Sequence, residues 1–158
     1  MRDVELLASY WTLAGASYPH SEIEYSLFDF KDRVVAAAKA GFKGIGIKEV
    51  DLAHILQRRN LKEMRRIFED NGIKYVELEF LTDWFLDGEK KKRSDRTRRM
   101  LLSAAETLEA RHIKVGDFDR NTVLQDQRSL VRLRDLSAEG EADARPMRFC
   151  GEEGDEKV

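Results

Sequence analysis

Two carboxylates that lie two residues apart, with an indole shortly after them, are the side chains of this sequence best placed to do chemistry. Glu77 and Glu79 belong to the stretch 74–81, in which polar and apolar residues alternate. Successive side chains of a β-strand point to opposite faces, so the pattern predicts a strand with both carboxylates on one face. Trp84 follows in the next loop. The apolar residues expected on the other face are Val76, Leu78 and Phe80.

The two carboxylates have a structural and a functional interpretation. In the structural one, a carboxylate on a covered sheet face is costly unless it is paired, and the partner is Lys48 or Lys114 on a neighbouring strand. In the functional one, Glu79 contacts a ligand, because it is closer to the carboxyl end of the strand, where α/β folds carry their chemistry. The sequence leaves both interpretations open.

Further acids follow two other predicted strands. Glu49 and Asp51 end the second strand, and Asp117 and Asp119 end the fourth. If they converge, the oxygen-rich site suits a hard divalent cation or sugar hydroxyls. An indole at a strand end either forms a wall for a sugar ring or packs beneath a loop. The candidate substrate-binding residues are Trp11, Lys48, Glu79, Trp84 and Asp117, without an assigned catalytic residue or metal ligand.

Other patterns are less specific. The basic run 90–93, continued by Arg96, Arg98 and Arg99, indicates either phosphate or nucleic-acid contact or a solvated helix start. The formal net charge of -2 and the pI near 6.0 give no electrostatic case for nucleic acid as the main partner. His20 and His54 have no spacing diagnostic of a metal site. Cys150 is the only cysteine, which rules out an intrachain disulfide.

The hydrophobic pattern predicts four strands separated by helices, which is typical of parallel βα units. The strands are predicted over 6–13, 44–50, 74–81 and 112–118, and the segment 51–59 is predicted to be a loop. Two glycines in the second strand indicate a close approach of the neighbouring backbone. The predicted helix starts are Ser26 or Asp29, Asn60 with Glu63 as a capping box, and Ser94 or Asp95.

The whole sequence of 158 residues, 42% hydrophobic and 37% charged, is typical of one soluble globular domain. No apolar run approaches the roughly 20 residues that cross a bilayer, and Asp3 and Glu5 are unlike a signal peptide, so a cytoplasmic location without membrane contact is expected. The pattern changes after residue 121. Residues 122–136 predict a weak helix, and 137–158, with few aliphatic side chains, predict a disordered acidic tail.

Three segments resemble the xylose-isomerase-like TIM barrels, a family of sugar phosphate isomerases and epimerases. They are Ala40–Ile47, Val76–Leu81 with Trp84, and Ala110–Phe118, and the resemblance spans roughly residues 4 to 121. It implies a (β/α)₈ barrel that binds a divalent metal, Mn, Mg or Co. It also implies that a small sugar or sugar phosphate is isomerised or epimerised through an enediolate, with a carboxylate moving a proton.

A full barrel takes about 250 residues, whereas four βα units are visible in this sequence. We therefore expect an α/β fold that is a partial TIM barrel, a half barrel over residues 1–121. The family's metal ligands come largely from the second half, so this chain alone is not expected to bind the metal, and a truncated or frameshifted product is expected. The alternative is a non-catalytic half-barrel interaction module that self-associates through the open edges of its sheet.

Overall fold

The computed structural model describes residues 4–116. The sequence-based predictions for Asp117, for a helix over 122–136 and for a tail over 137–158 lie outside the described residues. Between residues 4 and 116 the chain forms four strands and five helices.

The four strands form one parallel sheet whose spatial order is the order in the chain. They are β1 (Leu7–Ala8), β2 (Gly44–Lys48), β3 (Tyr75–Leu81) and β4 (His112–Val115). All three neighbouring pairs run parallel. The predicted parallel α/β arrangement of four strands is therefore confirmed.

Five helices connect the strands. They are α1 (Tyr10–Leu13), α2 (Phe30–Lys39), α3 (Glu49–Ile55), α4 (Leu61–Asp70) and α5 (Gly88–Leu108). Side chains of α2 to α5 pack with those of β2, β3 and β4 in one hydrophobic core. Ile45, Ile47, Val76, Leu78 and Ile113 are the strand residues that form the sheet side of this core, together with Leu81.

Local sequence signals account for the start and end of two helices. The Asp29 side chain accepts a hydrogen bond from the Lys31 amide and caps α2, as predicted. Asn60 and Glu63 form the predicted capping box at the start of α4. Gly41 and Gly72 follow these helices with positive φ angles of 93° and 67°, which glycine adopts without a steric penalty.

The close approach predicted from the glycines of β2 is confirmed. A Cβ atom at Gly46 would lie 3.0 Å from the backbone nitrogen of Tyr10, so the chain leaving β1 folds closely over this position. Gly44 is similarly confined, because an added Cβ would lie 2.9 Å from the Cβ of Tyr75.

Several predicted boundaries are wrong. The second strand was predicted over 44–50 but ends at Lys48, because α3 begins at Glu49, so Glu49 and Asp51 lie in a helix. The first strand was predicted over 6–13 but ends at Ala8, because the chain turns into α1 and buries the Tyr10 ring. The segment 51–59 begins within α3 rather than a loop, because Leu52 and Ile55, three residues apart, face the core. The last helix begins at Gly88, well before Ser94, whose buried hydroxyl donates to the Thr82 carbonyl instead of capping the helix.

The side-chain alternation predicted for β3 holds only to its middle. Leu78 is opposite Ile113 and Leu81 is opposite Val115, so β3 has one more residue than β4 over this interval. Such an insertion reverses the face of every residue beyond it. Leu81 is therefore buried in the core, and Phe80, predicted to lie there, is only partly buried.

Candidate functional site

The sheet face opposite the helices is polar at its carboxyl half. Along each strand, the residues of this face alternate with core residues, whose side chains pack on the helices. Lys48 is opposite Glu79, and Glu77 is opposite His112. Parallel register therefore places side chains from three strands on one small area of the sheet.

Lys114 holds the two carboxylates of β3 together. Its Nζ lies 2.9 Å from Glu77 Oε2 and 3.0 Å from Glu79 Oε2. The Nε2 of His112 lies 3.2 Å from the other oxygen of Glu77, Oε1. We call these four residues, Glu77, Glu79, His112 and Lys114, the Glu–Lys network.

Burial makes this network electrostatically significant. Glu79 is only 3% exposed, and an unpaired carboxylate at such a position would be costly. Burial acts to lower the pKa of Lys114, but its hydrogen bonds to Glu77 and Glu79 outweigh that effect and raise the pKa above its ordinary value. The amine is therefore a charged hydrogen-bond donor at neutral pH. The structural interpretation of the sequence, pairing with a lysine of a neighbouring strand, holds for both carboxylates.

Lys48, the other lysine considered as a partner, forms an ion pair elsewhere. It contacts the carboxylate of Glu24, in the loop between α1 and α2, and its Nζ lies 5.3 Å from the centre of a Trp11 ring. The hydrogen bond from Lys48 lowers the pKa of Glu24, although burial opposes the shift. Glu24 was not a candidate residue, because it lies in a loop without periodicity and only the fold brings it to the end of β2.

The loop that contains Glu24 is held in place by buried contacts to α3. Asp51 is fully buried, accepts from the Ser26 amide at 2.9 Å and pairs with both terminal nitrogens of Arg33 at 2.9 and 3.2 Å. The ring of Tyr25 stacks on His54 at 4.0 Å. Asp51, considered as a ligand contact from the sequence, and His54 therefore position a loop that borders the site.

At the end of β2, the side chain of Glu49 takes the place of a backbone carbonyl as the hydrogen-bond acceptor for β3. The ladder between β2 and β3 stops at Lys48 because α3 begins at the next residue, and Glu49 Oε2 accepts from the Phe80 amide at 2.9 Å. Burial raises the pKa of Glu49, with the Phe80 amide opposing the shift. Glu49 was noted as a strand-end acid, but its contact with β3 depends on the register of the two strands.

The two candidate indoles have different surroundings. Trp11 is partly buried, packs edge-on against Tyr10 at 4.9 Å and reaches Lys48. Trp84 is partly buried against the hydrophobic core and packs edge-on against Phe85 at 5.0 Å. Of the predicted substrate-side residues, Trp11, Lys48 and Glu79 lie on neighbouring parts of the sheet end, Trp84 packs on the core side, and Asp117 lies outside the described residues.

The described residues do not fit the divalent metal implied by the family resemblance. Between residues 4 and 116, no group of three or more His, Cys, Asp or Glu side chains is arranged to hold a metal ion. The nearest approach to one is Glu77, Glu79 and His112, but the ammonium of Lys114 occupies the space between the two carboxylates. A cation there would face like-charge repulsion.

Two surface features lie apart from the network. A depression of about 440 Å³ lies on the helix side of the molecule and shares no residue with the Glu–Lys network. The basic run at the start of α5 is partly neutralised, since Asp95 pairs with Lys91 and Glu89 pairs with Lys92. The depression is lined by Leu56, Arg59, Asn60, Leu61, Lys62 and Thr107.

No protein-family model matches the sequence, and no curated protein does so either. Across the part of the chain described by the structure, none of the helices combines the length and apolarity needed to cross a membrane.

We predict that replacing Lys114 by Met destabilises the protein. The change leaves two adjacent carboxylates without their cation, and we expect a loss of about 2 to 3 kcal/mol in the free energy of unfolding. This is less than the roughly 3 to 5 kcal/mol usual for a fully buried pair, because Lys114 is partly exposed. Urea unfolding at neutral pH measures this, with exposed Lys62→Met as the matched control. Equal stability of K114M and wild type at neutral pH would contradict the role of the ion pair.

In contrast to Lys114→Met, we predict that Glu49→Gln does not lower the free energy of unfolding at neutral pH. The amide oxygen of Gln can still accept from Phe80, while the desolvated charge is removed. Because the pKa of Glu49 is raised in the folded protein, its stabilising contribution is present in the protonated form and is lost as the pH rises above about 4.3, the ordinary value for Glu. E49Q should therefore be at least as stable as wild type at pH 7, and its advantage should disappear in acid. Exposed Glu106→Gln is the control, and a stability loss specific to E49Q at pH 7 would refute the prediction.

Proposed function

We propose that the polar sheet face forms part of a carbohydrate-binding site and that the protein acts as, or contributes to, a sugar or sugar phosphate isomerase or epimerase. The observation that carries the proposal is the burial of Glu79 beside a charged Lys114 at the carboxyl end of a parallel sheet. This is the end at which α/β folds bind their ligands. The family resemblance of the sequence supplies the reaction class.

The chemistry of the face suits polyhydroxyl compounds. Carboxylates accept hydrogen bonds from hydroxyl groups and ammonium groups donate to their oxygens, so Glu79, Lys114 and Lys48 offer both kinds of partner. Trp11 adds an apolar surface beside Lys48. The mixture of charged donors, charged acceptors and an indole is typical of a sugar site.

The same groups have the properties needed for proton transfer next to a carbonyl. In our proposal, the Glu79 carboxylate takes the proton from the carbon beside the carbonyl group of the sugar. The Lys114 ammonium donates a hydrogen bond to the carbonyl oxygen as negative charge develops on it in the enediolate. Isomerisation follows when the proton returns to the former carbonyl carbon while the hydroxyl proton of the neighbouring carbon passes to the former carbonyl oxygen, a transfer in which Lys114 gives a proton to that oxygen and regains one from the hydroxyl. Epimerisation follows when the proton returns to the carbon it left, on the opposite face. No step of this scheme uses a metal.

The test combines binding and exchange. Amide shifts of the full chain are followed in H₂O as D-fructose is added, and ¹H NMR of a parallel sample in D₂O monitors exchange at the carbon next to the carbonyl. We expect shifts at Lys48, Glu79 and Lys114, and exchange that Glu79→Gln abolishes and Glu106→Gln leaves unchanged. If D-fructose and a panel of other ketoses and aldoses shift none of these amides, the face is not a sugar site. If sugars bind without exchange, the isomerase proposal fails for this chain and the binding site remains.

A second candidate function is an interaction module, and the edges of the sheet favour it. Within residues 4–116, β1 pairs only with β2 and β4 only with β3, so one edge of each strand has no strand partner. Exposed apolar side chains lie beside both edges, with Val4 and Leu6 near β1 and Val115 on β4. Open edges with apolar neighbours promote pairing with another chain.

Light scattering over a wide range of protein concentration tests this candidate. If the module self-associates through its edges, the mass rises with concentration, and Val115→Lys shifts the protein toward the monomer because a lysine disfavours edge pairing. The matched control is Leu102→Lys, which changes an exposed leucine of α5 that lies away from the sheet edges. A strictly monomeric wild type would eliminate this function.

A further inference from the structure

One face of α5 carries a row of cations. Lys92, Arg93, Arg96 and Arg99 are all exposed. Arg96 follows Lys92 by four residues and Arg93 by three, and Arg99 follows Arg96 by three, so the four side chains lie on one side of the helix. We call these four residues the basic stripe. It occupies the first half of α5, the half that is closer to the carboxyl ends of the strands.

The three arginines of the stripe make no ion pair within the described part of the chain, whereas neighbouring cations do. Asp95 is engaged by Lys91 and Arg98 on the adjacent side of the helix, at 3.2 and 3.6 Å. Glu89 is engaged by Lys92 at 2.7 Å. The acids of α5 next to the stripe thus leave an excess of positive charge on its exposed side.

The chain leaves the described structure close to the start of α5. The amide of Gly116 donates to the carbonyl of Leu81 at 3.1 Å, so the end of β4 lies beside the end of β3. Only six residues separate Leu81 from Gly88, where α5 begins. The basic stripe starts four residues into that helix, about 6 Å along its axis.

The remainder of the sequence contains a segment of complementary charge. Residues 137–158 have seven Asp and Glu residues against three Arg and Lys residues. Twenty residues lie between Gly116 and Ser137, enough to span more than about 20 Å whether helical or coiled. The acidic segment is therefore long enough, and attached at the right end of the sheet, to reach the stripe.

We propose that the acidic segment 137–158 docks on the basic stripe of α5 and shields it from other polyanions. A single exposed ion pair contributes little, but seven acids tethered beside the three arginines of the stripe act at a high effective concentration. The contact is multivalent and electrostatic, so added salt releases it. This inference concerns a surface apart from the sheet face and does not depend on the proposed enzymatic function.

Cys150, the only cysteine of the chain, provides a position for the test, since it lies within the acidic segment. A nitroxide spin label on Cys150 of the full chain should broaden the amide signals of residues 92–99 more than those of α2 and α4. The broadening should be lost in high salt, where screening acts over a few ångströms. It should also be lost in the triple variant Arg93→Glu, Arg96→Glu, Arg99→Glu.

The matched control is Lys39→Glu, Arg58→Glu, Arg66→Glu, which reverses three exposed cations on other parts of the surface and should leave the broadening of α5 intact. Circular dichroism checks that both triple variants are folded. The proposal is overturned if α5 is not broadened preferentially, or if its broadening survives high salt or the charge reversal of the stripe.

Heparin affinity gives an independent measurement of shielding. Replacing the seven acids of the segment by their amides in the full chain should expose the stripe and raise the salt concentration needed for elution. The same replacement combined with the triple reversal of the stripe should abolish the increase. If neutralising the segment changes retention equally with and without the stripe, the segment does not cover α5 and the proposal is wrong.

Discussion

The ion pair between β4 and β3 is the interaction on which the polar face of this protein depends. Two carboxylates lie on one strand within a small, largely buried area, and each would be repelled by the other without a cation between them. Lys114 supplies that cation at hydrogen-bonding distance from both Glu77 and Glu79. A buried ion pair stabilises little by itself, but loss of one partner is costly, so the network constrains which residues these positions tolerate.

The network also depends on the register of the sheet. Parallel pairing brings the second strand's lysine opposite Glu79, yet the ammonium of Lys48 pairs with Glu24 in a loop. That loop is in turn held by the buried carboxylate of Asp51 through Ser26. The two lysines therefore have separate tasks, because one neutralises the sheet carboxylates and the other ties the loop to the end of β2.

The two proposals concern separate charged surfaces of the molecule. On the sheet face, opposite charges are paired and largely withdrawn from water. On α5, the arginines of the basic stripe stand in solvent, where interactions are weak individually and depend on number and salt. The first proposal therefore concerns a compact ligand and the second an extended acidic chain.

Local signals in the sequence were sufficient for part of this structure. The capping box at Asn60, the cap at Asp29 and the alternation in the first half of β3 each depend on residues a few positions apart, and the hydrophobic pattern between them was enough to predict four parallel strands. The choice of partners was decided only by tertiary structure. Whether Glu79 would meet Lys48 or Lys114, that Glu24 would reach Lys48, and that one additional residue in β3 would exchange Phe80 for Leu81 in the core all depend on strand register and on contacts between distant segments. A single sequence carries the charges of these residues, but the distances between them exist only once the strands have paired.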